Sequence, residues 1–195
     1  MFAQVMSRHY PLWLVRLLRV ALFTILIAVT ARLSLSIPGT PVPITMQVFS
    51  VLLAGMVLGP LEGSASVVTY LTAIALNMHI DAGRIGTLAL VGPTAGFLLG
   101  FVPTAAISGL AWRMEGWRRL FASIGFGLAV LVVLYAFGVF GLLPFFKGLW
   151  SAAFAAGAIP FIFIDCGKVL LAASLATLGR DSWKRWLLPS INRDL

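Results

Sequence analysis

The sequence predicts an all-α integral membrane protein, a bundle of six transmembrane helices with both termini cytoplasmic. Three observations lead there: the composition, the length of the apolar runs and the placement of the charges. Of 195 residues, 61% are hydrophobic and 10% charged, with mean hydropathy +1.03. A soluble domain carries about 25% charged residues, so this chain falls outside that class. A bilayer core is ~30 Å thick and needs ~20 helical residues to cross, and apolar runs of that order recur down the chain. They lack the alternation of barrel strands, which excludes a β-barrel.

Residues 1–16 hold Arg8, His9 and Arg16 beside Met6, Tyr10, Leu12 and Trp13, and read as an amphipathic segment lying on the bilayer. Residues 17–178 form the transmembrane domain. Its first span covers about Leu17–Ile37 and continues through Ala31-Arg32-Leu33-Ser34, without the small-residue cleavage site of a signal peptide. The loop Pro38–Pro43 is rigid and uncharged. The second span covers about Ile44–Leu58, and Gly59-Pro60-Leu61-Glu62-Gly63 forms a tight turn into a short third span, Ser64–Leu76. The fourth runs from about Pro93 to Trp112, and the basic connector Arg113–Arg119 leads to the fifth, Leu120–Phe140. Gly141–Ala158 holds a short interfacial helix, and Pro160 suits the first turn of the sixth span, Pro160–Leu178. Residues 179–195 form a basic cytoplasmic tail.

The net charge of +8 follows from topology and calls for no nucleic acid. With six spans the termini share a side, and ten of the chain's 14 Lys and Arg collect there: Arg8, Arg16, Arg19, Arg113, Arg118, Arg119, Arg180, Lys184, Arg185 and Arg193. The opposite loops hold Arg84 and Lys147. Basic residues favour the cytoplasm, which places the loop after the third span outside. Trp13, Trp112, Trp117, Trp183 and Trp186 form an inner interfacial belt and Trp150 an outer one.

That outer loop, from Asn77 to Gly92, carries Asn77, His79, Asp81 and Arg84 among glycines in a chain otherwise poor in charge. It feeds a span in which Gly92, Gly96 and Gly100 recur every four residues, a small-residue face for close helix packing. Arg84 sits beside Gly83 and Gly86, where free backbone N–H groups favour an anion. Asn77 is either a helix C-cap or a ligand contact. His79 and Asp81 are too few for a metal and read as solvated, and Arg32 reads as snorkelling to the outer interface. Gln47 and Tyr70, inside spans, either line a pocket or bond a neighbouring helix.

Asp165 and Lys168 lie in the outer half of the sixth span, three residues apart and on one helix face. Inserting an ionised group near mid-bilayer costs roughly 2.5–3.5 kcal/mol, so the pair is either a helix-locking ion pair or part of a pocket below the 77–92 loop. No catalytic set appears: the chain has no Walker A loop and no His-Glu-x-x-His, and neither histidine lies in a span. Cys166 is the single cysteine, which leaves no intrachain disulfide. The residues alone point to an outward-facing polar site for an anionic or zwitterionic solute.

Four stretches are similar to a known family: Pro41-Val42-Pro43-Ile44-Thr45-Met46-Gln47, Leu53-Ala54-Gly55-Met56-Val57-Leu58-Gly59-Pro60, Gly83–Gly100, and Ile159-Pro160-Phe161 leading to Asp165 and Lys168. They resemble the BioY family, the biotin-specific substrate-binding (S) components of energy-coupling-factor (ECF) transporters. The chain departs from the family's pattern at Phe163-Ile164, where Pro-Gly commonly precedes the aspartate, and at Phe145, where a tryptophan often stands. The resemblance implies a non-enzymatic vitamin-capture subunit in the cell membrane, partnered by a transmembrane coupling subunit and two ATPase subunits. ATP is used by those partners, and this chain carries no cofactor. It further implies that Asp165 accepts from the two ureido N–H groups of biotin while Asn77 or Lys168 donates to the ring carbonyl. The carboxylate falls to Arg84 with nearby backbone N–H groups, or to Lys168. Small residues Ala21, Thr24 and Ala28 on the first span correspond to the docking face for the coupling subunit. The alternatives are an S component for another small vitamin and a structural or regulatory membrane protein.

Overall fold

In the structure, a computed structural model that describes residues 11–179, most of the described chain is helical. Helix α1 (Leu12–Ala31) starts behind Pro11 and buries Arg19, Phe23, Ile27 and Thr30 on one stripe. Its opposite face exposes Leu18, Leu22, Ile25 and Val29, as expected of a helix turned to lipid. Leu12–Arg16, expected to lie on the bilayer, is already part of α1; residues 1–10 and the tail from 180 lie outside the described residues. The helix also ends earlier than expected. Pro38 disfavours helical backbone just before it, and the chain turns extended at β1 (Ser34–Leu35), which pairs antiparallel with β2 (Ile44–Thr45).

Helix α2 (Gln47–Leu58) is the centre of the bundle. It is apolar all round, and every residue except Phe49 is buried. Its 12 residues rise only about 18 Å, less than a bilayer core. Gly59, at φ +87°, reverses the chain in one residue, and Pro60 opens α3 (Pro60–Ala75) at its first turn. The tight turn expected over Gly59–Gly63 is thus a single glycine, and Leu61–Gly63 are helical. A Cβ on Gly55 would collide with the Ala105 carbonyl, and one on Gly63 would meet the Gly55 backbone at 2.8 Å, so three helices converge there. Arg19 and Arg119 serve more than topology. Arg19 donates to Glu62 on α3 at 2.9 Å, and Arg119 donates to the Met56 carbonyl at the end of α2 at 2.7 Å.

A loop and a 3-10 turn (Gly86–Leu90) lead to α4 (Ala95–Ser108), which continues as a 3-10 turn to Ala111. Helix α5 (Gly116–Leu142) is the longest, and α4 makes its most extensive contact with it. The small-residue face expected on α4 is there at two of three positions: Gly96 lies against Phe137 and Gly141 of α5, and Gly100 against Leu134 and Phe137. Gly92 precedes the helix and touches its own loop.

Helix α6 (Trp150–Gly157) and helix α7 (Ile162–Leu178) are bent 44° to each other at a short break. Pro160 lies in that break and not in the first turn of α7, which begins at Ile162. By length and composition α1 and the helix from Gly116 to Phe146 suffice to cross a membrane, and the bent α6–α7 pair is a third candidate span. Buried residues of α1–α5 and α7 form one continuous core. A smaller cluster of Val42, Val139, Leu142, Ala153, Ala158 and Phe161 seals the break.

Candidate functional site

The break between α6 and α7 opens onto a cavity of about 170 Å³. Phe97, Leu98 and Phe101 of α4, with Leu134 of α5 and Phe161 from the break, make an apolar wall. Pro41–Pro43 and Thr45 close another side, and Asp81, Ala82, Gly83 and Ile85 of the loop after α3 cover it. Gln47, Asp165 and Lys168 supply polar groups inside. Asp165 and Lys168 thus face a cavity bordered by Asp81, Ala82, Gly83 and Ile85 of the 77–92 loop.

Asp165 lies in the fourth helical position of α7, where the partial positive charge of a helix start favours an anion. Its carboxylate is 2% exposed and Lys168 is 5% exposed. Lys168 Nζ donates to Oδ1 at 2.6 Å, the reach expected of a pair three residues apart on a helix. Tyr135, from α5, donates its hydroxyl to Oδ2 at 2.9 Å. Tyr135 was not singled out in the sequence; its only signal is a hydroxyl in the otherwise apolar run of α5. An ionised carboxylate offers about four acceptor sites and an ammonium three donors, so the trio retains capacity toward the cavity after these two bonds.

Gln47 Nε2 donates to the Tyr70 hydroxyl at 2.9 Å, and Tyr70 is fully buried. Of the two, Gln47 therefore lines the cavity and Tyr70 backs it. Asn77 is outside the cavity wall. It takes the left-handed conformation (φ 63°) just past the end of α3, and its exposed side chain accepts from Thr87 N and Oγ1 at 3.4 Å. It caps α3 and holds the loop, in a left-handed conformation that asparagine tolerates. Arg84 likewise has φ 55° and an exposed side chain, between Gly83 and Ile85, which do line the cavity.

Asp81 overturns the solvated reading. It is 2% exposed, and its carboxylate accepts from Gly86 N at 2.8 Å and Ile85 N at 3.1 Å, folding the loop around itself. Arg32 has a more specific place than the interface alone: its guanidinium donates to the carbonyls of Asp81 and His79, tying the end of α1 to this loop. The small residues of α1 are half-buried. Thr24 directs its hydroxyl at the Val20 and Ser66 carbonyls, and Ala28 packs on the core.

Phe97 is seated by glycines. A Cβ on Gly138 would fall within its ring, and one on Gly157 would approach its Cζ at 3.7 Å. The ring rests tilted on Phe161, with centroids 6.1 Å apart. Removing two side chains on neighbouring helices thus leaves room for one aromatic at the cavity wall.

The chain is 39% identical over 163 residues to a biotin transporter BioY of Thermotoga maritima, covering 83% of this chain and 93% of that protein. It is 37% identical over 164 residues to a biotin transporter BioY of Rhizobium etli, covering 80% of this chain and 87% of that one. Its fold is similar to the crystal structure of the S-component for biotin from an ECF-type ABC transporter. That likeness has a TM-score of 0.73 at 22% identity, covering 85% of this chain and 90% of the other. The BioY family model matches residues 5–185, and the chain belongs to the BioY family.

Proposed function

We propose that this chain binds biotin and supports its uptake as the substrate-capture subunit of an ATP-driven ECF transporter. The observation that carries the reading is the buried Asp165–Lys168–Tyr135 cluster at the helix break, walled by aromatic and aliphatic side chains. Biotin matches that layout. Its ureido ring offers two N–H donors and a carbonyl acceptor, its thioether ring and alkyl chain are apolar, and its tail is an anion. Asp165 accepts from one ring N–H group and Lys168 donates to the ring carbonyl beside it. Arg84, on the covering loop beside residues that line the mouth, takes the carboxylate. Gln47 contributes from the opposite side, held in place by Tyr70 and Thr45.

The partners in this reading are a transmembrane coupling subunit and two ATPase subunits, with docking along α1 at the half-buried row Ala21, Thr24 and Ala28, beside the exposed stripe of Leu18, Leu22 and Ile25. The chain is a multi-pass protein of the cell membrane in which α1–α5 and the α6–α7 pair make six crossings, with both termini cytoplasmic. In a Cys166→Ser background, Arg84→Cys should then label from outside intact cells and Met114→Cys only after permeabilisation. Outside labelling of Met114→Cys overturns this orientation. Function itself is tested by calorimetric titration of the detergent-purified chain with biotin. Saturable one-site binding is expected, and no heat with biotin but binding of another vitamin would assign a different substrate.

A further inference from the structure

We infer that Tyr135 is a positioning residue that makes the site selective for a donor-bearing ring. The inference rests on the proposed placement of the biotin ureido ring at Asp165.

The cluster is built from two helices. Lys168 shares α7 with Asp165, so it moves with the carboxylate and grips one oxygen, Oδ1. A single contact leaves the carboxylate free to turn about its last torsion, which is broad for an aspartate. Tyr135 comes from α5 and grips the other oxygen, Oδ2. Two donors on two oxygens fix the carboxylate plane. Tyr135 itself is wedged against both hydrophobic clusters of the protein, so its hydroxyl is held by packing. Asp165 and Lys168 line the cavity, whereas Tyr135 stands behind the wall and reaches Asp165 from there.

The consequence is chemical. With Lys168 and Tyr135 each occupying one lone pair, the remaining acceptor sites of Asp165 form a fixed two-oxygen edge. That edge fits one ureido N–H of the ring while Lys168 meets the carbonyl beside it; the second N–H lies on the far side of that carbonyl. A ligand lacking the facing N–H leaves a buried carboxylate short of partners, a larger penalty than loss of apolar contact. Without the Tyr135 hydroxyl the carboxylate could rotate off that N–H, and discrimination against a ring that lacks it would fall.

The test uses the purified full-length chain, with thermal unfolding to verify that each variant is folded. The ligands are biotin, biotin methylated on one ureido nitrogen, and biotin amide. Tyr135→Phe removes only the hydroxyl. It should weaken biotin binding about ten-fold or more, narrow the preference for biotin over the N-methyl analogue, and leave the preference for biotin over the amide unchanged. In an Asp165→Asn background the same substitution should weaken binding no more than about three-fold, because the bond is no longer to a charge. A Tyr135→Phe protein with wild-type affinity and ring preference overturns the inference, as does an equal loss in both backgrounds. Failure of the wild-type chain to bind biotin would instead remove the functional reading on which the inference stands.

Discussion

Asp165→Asn should lower biotin affinity by about ten- to a hundred-fold in calorimetric titration. The substitution keeps the side-chain volume but removes the charge and turns one acceptor into a donor. A hydrogen bond to a charged group contributes roughly 1.5–3 kcal/mol, and each 1.4 kcal/mol is about ten-fold in affinity. Lys168→Met should weaken binding as well, by a different route. It strands a carboxylate that is 2% exposed with only Tyr135 as a partner. The double variant should lose less than the two single losses combined, because neutralising both members removes the stranded charge. Wild-type affinity in both single variants would reduce the pair to a tie within α7 and its neighbours, and the site would have to lie elsewhere.

Gly138→Ala should reduce biotin affinity at least ten-fold while costing the fold about 1–3 kcal/mol, the usual range for overpacking. The new methyl would collide with the far end of the Phe97 ring. The ring already rests on Phe161 and faces Gly157 of α6, and the open direction is the cavity that Phe97 lines. The substitution therefore trades a modest loss of stability for a large loss of binding space. A second change, Phe97→Leu, should recover much of the affinity in the Gly138→Ala background. Unchanged biotin binding in Gly138→Ala would show that Phe97 has another way out.

These two sites differ in how visible they are in the sequence. Asp165 and Lys168 stand out because ionisable side chains in an apolar run require a cause, and their spacing alone puts them on one helix face. The glycine socket for Phe97 is hidden, since its parts come from α4, α5 and α6, and no local pattern relates Gly138 to Phe97. Asn77, open between cap and ligand contact, and Asp81, expected to be solvated, are hard to place from sequence for the same reason. Both sit in a polar loop, and only the three-dimensional course of the backbone turns Asn77 outward as a cap and folds Asp81 inward onto the N–H groups of Ile85 and Gly86. The order of the longer helices was legible from the apolar runs, but helix ends were not. The early end of α1 is set by pairing with Ile44–Thr45, a contact beyond the reach of local propensity. Tyr135 escaped because a tyrosine in a membrane helix is unremarkable until its partner is known.

The two hydrogen bonds from Arg32 join the far end of α1 to the backbone at His79 and Asp81. Asp81 in turn holds the next turn of the loop through Ile85 and Gly86, so the connection runs from α1 to the cover of the cavity without a flexible segment between. Helix α1 is consequently a lever with the cavity cover fixed to one end. Any tilt of α1 against α2 and α3, on which it packs, has two outcomes: the cover travels with it and the mouth changes width, or both Arg32 bonds break. A force applied along the exposed stripe of α1 is thereby felt at the mouth, through a link that a single Arg32→Gln substitution would loosen.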